Sequence, residues 1–246
     1  MTALRPTVEA AWRNFNESLE GVYSCPYFDV RRLITTAVGV LCDPVERCLT
    51  LDWRTGDQAA TAAQVRDDFQ TLKDMANGMS DAEVRKWTAE RQAPYTSIRL
   101  RAETIDALVT RRLLANVDYL VEHYFADFAS WPADAQMGTL SLCWAVGAGL
   151  TLTNPPRTGF VESAKAHNWA MAKVHARLRT SNNAGVIGRN TKQDLCFDNA
   201  ALVDARRLDP SWLWWPNRTP ESETLKTVAL KALELGIART TKPPQS

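Results

Sequence analysis

The stretch Glu20-Gly21-Val22-Tyr23-Ser24-Cys25-Pro26-Tyr27-Phe28-Asp29-Val30-Arg31-Arg32-Leu33-Ile34-Thr35-Thr36 decides how the chain is read, because the pattern on either side of it differs. Before it, Val8, Trp12, Phe15 and Leu19 recur at helical spacing, and Thr7 after Pro6 suits a helix cap. This predicts an amphipathic helix over 7–20 with Glu20 on its last turn and Gly21 just past its end. Beyond Gly21, segments 27–28, 33–36 and 38–41 are rich in β-branched and aromatic residues, with Pro26, Gly39 and Asp43-Pro44 as punctuation. A further short strand is expected over 49–53, before the turn at Thr55-Gly56-Asp57. The β structure of the chain is expected here.

Glu20, Asp29 and Thr35 form a Glu-x8-Asp-x5-Thr pattern within this block. Cleaving a glycosidic bond needs a protonated acid on the leaving oxygen and a second carboxylate across the sugar. A hydroxyl beside that second carboxylate completes a cradle for water. A carboxylate on the last turn of a helix meets partial negative charge, which favours its protonated form, as a general acid requires. Glu20, Asp29 and Thr35 are therefore the candidate catalytic residues.

The block resembles the phage-type lysozymes, muramidases that cleave peptidoglycan between N-acetylmuramic acid and N-acetylglucosamine. That family has a Glu-Gly at the end of its first helix, then an Asp and a Thr at this spacing, the Thr opening a T-x-G-x-G-type strand. Thr35-Thr36-Ala37-Val38-Gly39 follows the pattern at Thr35 and Gly39, with Ala37 in place of the first glycine. Val40 stands where the family often has His, so a polar contact made by that His is expected to be absent. Residues 133–147 are similar to the family's buried helix, which ends in an aromatic-x-x-Gly turn, here Trp144 to Gly147. Segments 160–166, 169–179 and Gly188-Arg189-Asn190 with the helix after it resemble its C-terminal helices.

The resemblance implies an α+β, predominantly helical, bilobed fold in a single domain over 1–246. It would comprise a first helix and β lobe over 1–60 and a helical lobe over 61–239. An extra C-terminal helix over 219–236 and a disordered tail over 240–246 are expected as well. It implies Glu20 as general acid, with Asp29 and Thr35 positioning the water of an inverting hydrolase. Arg189, beside the catalytic Glu, and Trp144 and Gly39 are implied as substrate contacts, and no metal or organic cofactor is needed. Two rival readings are a lytic transglycosylase-like enzyme that keeps only the Glu, and a non-enzymatic helical binding or adaptor protein.

Composition sets further bounds. At 246 residues, 45% hydrophobic and 23% charged, the chain has the make-up of a folded globular protein. A net charge of +1 argues against nucleic acid as partner. Nine Trp suit a glycan cleft, since sugar rings stack on aromatics. The loop Asp209-Pro-Ser-Trp-Leu-Trp-Trp-Pro216 reads more readily as an anchor to the core than as a sugar platform. Cys25, Cys42, Cys48, Cys143 and Cys196 form no metal-binding pattern; Cys42 and Cys48 could bridge a short loop, but free thiols are favoured. No secretion leader and no membrane-length apolar run is seen. The expected protein is a monomer made in the cytoplasm and delivered to the periplasm or cell wall of a target cell, as a phage endolysin or bacteriolytic effector toxin. An immunity protein or a secretion-system carrier would then be a partner, besides peptidoglycan glycan strands.

Between the two motif regions, helices are expected over 61–76, from a Ser80 cap to about 91, and over 103–129. Arg111-Arg112 reads as a solvated face of the last of these.

Overall fold

A computed structural model of the chain describes residues 3–179 and 184–218. They hold ten α-helices and two three-stranded antiparallel sheets, an α+β and predominantly helical architecture. The expected C-terminal helix and tail lie outside the described residues. The chain divides into two compact units, one over Arg13–Arg112 and the other over Met1–Trp12 with Leu113–Ser246.

The unit over Arg13–Arg112 receives the second half of α1 (Pro6–Glu20). One sheet follows, in the order β1 (Tyr23–Phe28), β2 (Ile34–Ala37), β3 (Val40–Leu41). The register of β1 on β2 shifts between Tyr23 and Tyr27. Pro26 lies in this interval and has no N–H for the ladder. Thr36, wholly buried, stitches the irregular stretch by donating Oγ1 to the Cys25 carbonyl at 3.0 Å.

The strand expected over 49–53 is not formed. Residues Val45–Cys48 make a helical turn, α2, and the Leu49 N–H continues it to the Val45 carbonyl at 2.9 Å. These turn hydrogen bonds override the β propensity of Leu49-Thr50-Leu51. The second sheet is instead β4 (Trp53–Thr55) between β5 (Gln58–Ala59) and β6 (Arg99–Leu100). At two residues, β6 is too short to show an alternating pattern in sequence.

Helix α3 (Ala62–Asn77) opens on a Thr61–Gln64 capping box, buries Val65, Phe69, Leu72 and Ala76, and packs on β1 and β2. The compact unit therefore continues past residue 60, as far as Arg112. The single helix expected after Ser80 is split into α4 (Asp81–Val84) and α5 (Ala89–Gln92). Between them the carbonyls of Lys86 and Trp87 are taken by the side chains of Arg91 and Gln92, each at 3.2 Å. Helix α6 (Ala102–His123) carries the chain out of the unit after Arg112.

In the other unit α6 stops at His123, short of the expected 129, and the Phe125 N–H reaches back five residues to the Leu120 carbonyl at 2.7 Å. Helix α7 (Ala133–Val146) has no polar face, since every residue from Ala133 to Trp144 is buried. It packs on α10 (Ala184–Arg206) and α9 (Trp169–Ala176), with α8 (Thr158–Lys165) beside α9. Phe125, Phe128, Trp131, Phe160, Trp169 and Phe197 form the aromatic core; Trp131 meets Phe125 at 4.6 Å and Trp169 at 4.9 Å between ring centroids. The aromatic loop is anchored to α7, because Asp134 accepts the backbone N–H of Trp214 at 2.8 Å and of Trp215 at 3.0 Å. Among the described residues no helix is long and apolar enough to cross a membrane.

Candidate active site

Gly21 ends α1 at Glu20. Its φ of +72° lies in the left-handed region, and a Cβ there would stand 2.9 Å from the Tyr23 ring. Glu20, half-buried on that last turn, extends over the β2–β3 turn. A Cβ built on Gly39 (φ +66°) would be 3.7 Å from Glu20 Oε2 and 3.6 Å from Arg112 Nη1. Arg112 also donates Nη1 to the Gly39 carbonyl at 2.7 Å. A carboxyl and a guanidinium thus both border the bare backbone of Gly39, within van der Waals reach of where a Cβ would stand. Arg112 is half-buried, which corrects the expectation of a solvated face.

Asp29 directly follows β1, and its Oδ1 accepts the backbone N–H of Arg31 at 2.8 Å and of Leu33 at 2.9 Å. That Asx-type turn leads the chain from β1 into β2. Thr35 is paired with Tyr27 across the sheet, is 7% exposed, and donates Oγ1 to the Tyr27 carbonyl at 3.3 Å.

Tyr27 links the three motif residues. Burial pushes its phenol above the usual range, the Thr35 hydroxyl opposes that shift, and the charges of Glu20 and Asp29 add to it. The Tyr27 hydroxyl therefore lies within electrostatic reach of all three. Tyr23 packs edge-on against Tyr27 at 5.1 Å. Its own phenol is pushed up to about 12 by burial, then by a 2.7 Å hydrogen bond to Glu90.

Arg189 and Trp144 belong to the other unit. Arg189 is 4% exposed and donates Nη1 to the Ser141 carbonyl of α7 at 3.0 Å. Trp144 is 3% exposed and packs on Trp12 with ring centroids 5.4 Å apart. Both are core positions, and neither offers an open face to a sugar. All five cysteines are buried free thiols, and the Cys42 thiol donates to the Val40 carbonyl at 3.5 Å. Among the described residues no group of three His, Cys, Asp or Glu is gathered to hold a metal ion.

Sequence reasoning missed Tyr27 and Arg112. Arg112 had a visible signal: it lies seven residues after Ile105 and four after Leu108, on the apolar stripe of α6. A cation at a core-facing position points to an anion nearby. Comparison with models of protein families, with curated proteins and with solved structures found no match.

Proposed function

We propose that this chain is a muramidase, a glycoside hydrolase acting on the glycan strands of peptidoglycan. The observation that carries the proposal is the placement of the three residues in one unit, Glu20 over the β2–β3 turn, Asp29 in the turn between β1 and β2, and Thr35 on β2. In this mechanism Glu20 protonates the leaving oxygen and is left as a carboxylate, whose charge Arg112 offsets. The Asp29 carboxylate, through Oδ2, and the Thr35 hydroxyl hold the attacking water on the other face of the sugar, giving inversion. The substrate lies outside the cytoplasm, so delivery as an effector or endolysin belongs to the same proposal. A neighbouring immunity gene would indicate the effector, and a holin gene the endolysin.

One observation favours a second enzyme. Asp29 Oδ1 is engaged in a turn and the Thr35 hydroxyl bonds to backbone, so both residues also have structural work. An enzyme relying on Glu20 alone would be a lytic transglycosylase, in which the substrate supplies its own nucleophile. Digests of purified peptidoglycan distinguish the two, because a hydrolase leaves reducing ends and a transglycosylase leaves anhydro-muramic ends. Glu20→Gln is expected to lower turnover by a factor of about 10²–10⁴ with an unchanged circular dichroism spectrum. Turnover near wild type in that variant would remove both enzyme readings, and a wild-type protein without lytic activity would leave the binding protein.

A further inference from the structure

The buried face of α1 consists of Val8, Trp12, Phe15 and Asn16. The first three are apolar. Asn16 is wholly buried, and neither its Oδ1 nor its Nδ2 meets a hydrogen-bond partner among the described residues. An amide brings two donors and an acceptor that are costly to leave unmet, so an apolar side chain would suit a purely structural role in this stripe better. Asn16 precedes Glu20 by four residues, one helical turn, which sets the two side chains next to each other on the same face.

We propose that Asn16 is a positioning residue whose carboxamide holds a buried water hydrogen-bonded to the Glu20 carboxyl. Buried waters typically make about three hydrogen bonds to polar groups that would otherwise go unmet. Asn16 supplies such groups, one helical turn from the Glu20 carboxyl. Charged or titratable groups near Glu20 include Arg112 of α6, Tyr27 of β1 and, through Tyr27, Asp29. The water selects one orientation of the Glu20 side chain and stabilises its ionised form. Its effect on catalysis rests on Glu20 being the general acid, but the contact itself does not.

The test compares Asn16→Thr with Asn16→Val in the full chain. The two side chains have the same shape and differ in a hydroxyl that can hold the water. Glu20 is followed by carbon NMR of carboxyl-labelled glutamate, assigned with Glu20→Gln, and peptidoglycan turnover is measured in parallel. Asn16→Val is expected to raise the Glu20 titration midpoint by about half a pH unit or more over wild type, with Asn16→Thr close to wild type. Turnover should fall about tenfold in Asn16→Val at unchanged KM, with its pH profile displaced in step, and recover in Asn16→Thr. Equal Glu20 midpoints in the two variants would overturn the proposal, whatever their activities. A midpoint shift in a protein with no lytic activity would uphold the contact and remove the muramidase. Asn16→Ser and Asn16→Ala form a smaller pair, read the same way should the first pair fail to fold.

Discussion

Ala37 occupies the left-handed region, φ 52°, at the position where the lysozyme-like pattern has its first glycine. A side chain there costs about 1–2 kcal/mol of backbone strain. Against this stand a buried methyl, roughly 0.8 kcal/mol, and the extra freedom of an unfolded glycine, roughly 0.4–1 kcal/mol. These terms nearly cancel. Ala37→Gly is expected to unfold within about 1 kcal/mol of wild type in urea. Ala37→Val, with a branched Cβ on the same backbone, should lose more than about 2 kcal/mol. Thr35 poses a chemical question instead. If its hydroxyl holds water, Thr35→Ser keeps most peptidoglycan turnover while Thr35→Ala and Thr35→Val lose it. Full turnover in the Val variant would make Thr35 a strand residue only.

Among the elements, α5 is joined to β1 by the buried side chain of Gln92, besides the exposed hydrogen bond from Tyr23 to Glu90. Gln92 is wholly buried; its Oε1 accepts the Phe28 N–H at 2.7 Å, and its Nε2 donates to the Phe28 and Trp87 carbonyls at 3.0 and 3.2 Å. Gln92→Leu would fill much of the same space and leave those backbone groups unmet, at about 1–3 kcal/mol for each that finds no water. The expected loss exceeds about 2 kcal/mol, read from the urea midpoint of the variant. A loss below half that figure would show that water replaces the amide. Asp29 follows the last residue of β1, so loosening this junction should also lower turnover.

For the molecule as a whole, stability should carry the signature of Asp134. Burial raises its pKa to about 6, although the Asn199 amide and the backbone N–H groups of Trp214 and Trp215 favour the carboxylate. The folded value lies above the unfolded one, so the folded chain binds this proton more tightly. The resulting contribution to stability is complete below about pH 4 and is lost as pH rises through about 6. It amounts to roughly 3 kcal/mol at most. Asp134→Asn cannot titrate, so as pH rises from about 4 to about 6 the difference in thermal stability should move in favour of the variant. A difference that stays flat over that window would show that the three donors, and not burial, control the group.

Periodicity along the chain was enough to specify the helices with long apolar stripes or strong caps, and the place where helix gives way to sheet. Val8, Trp12 and Phe15 mark α1, the Thr61–Gln64 box opens α3, and the apolar run of 133–147 becomes α7, buried from Ala133 to Trp144. Such signals are local, because capping and amphipathic spacing act within a turn or two. Other features were settled by packing between distant segments. Packing set Arg99 and Leu100 of β6 opposite Arg54 and Trp53 of β4, and drew Gln92 of α5 onto Phe28 of β1.

The site divides the same way. Glu20, Asp29 and Thr35 were legible because their spacing is a property of the chain. Tyr27, Arg112 and Asn16 were not, because their importance comes from what burial and the β2–β3 turn bring beside them. A polar side chain on an apolar stripe is visible in sequence, but the group it faces is set only when distant segments pack and water is excluded from between them.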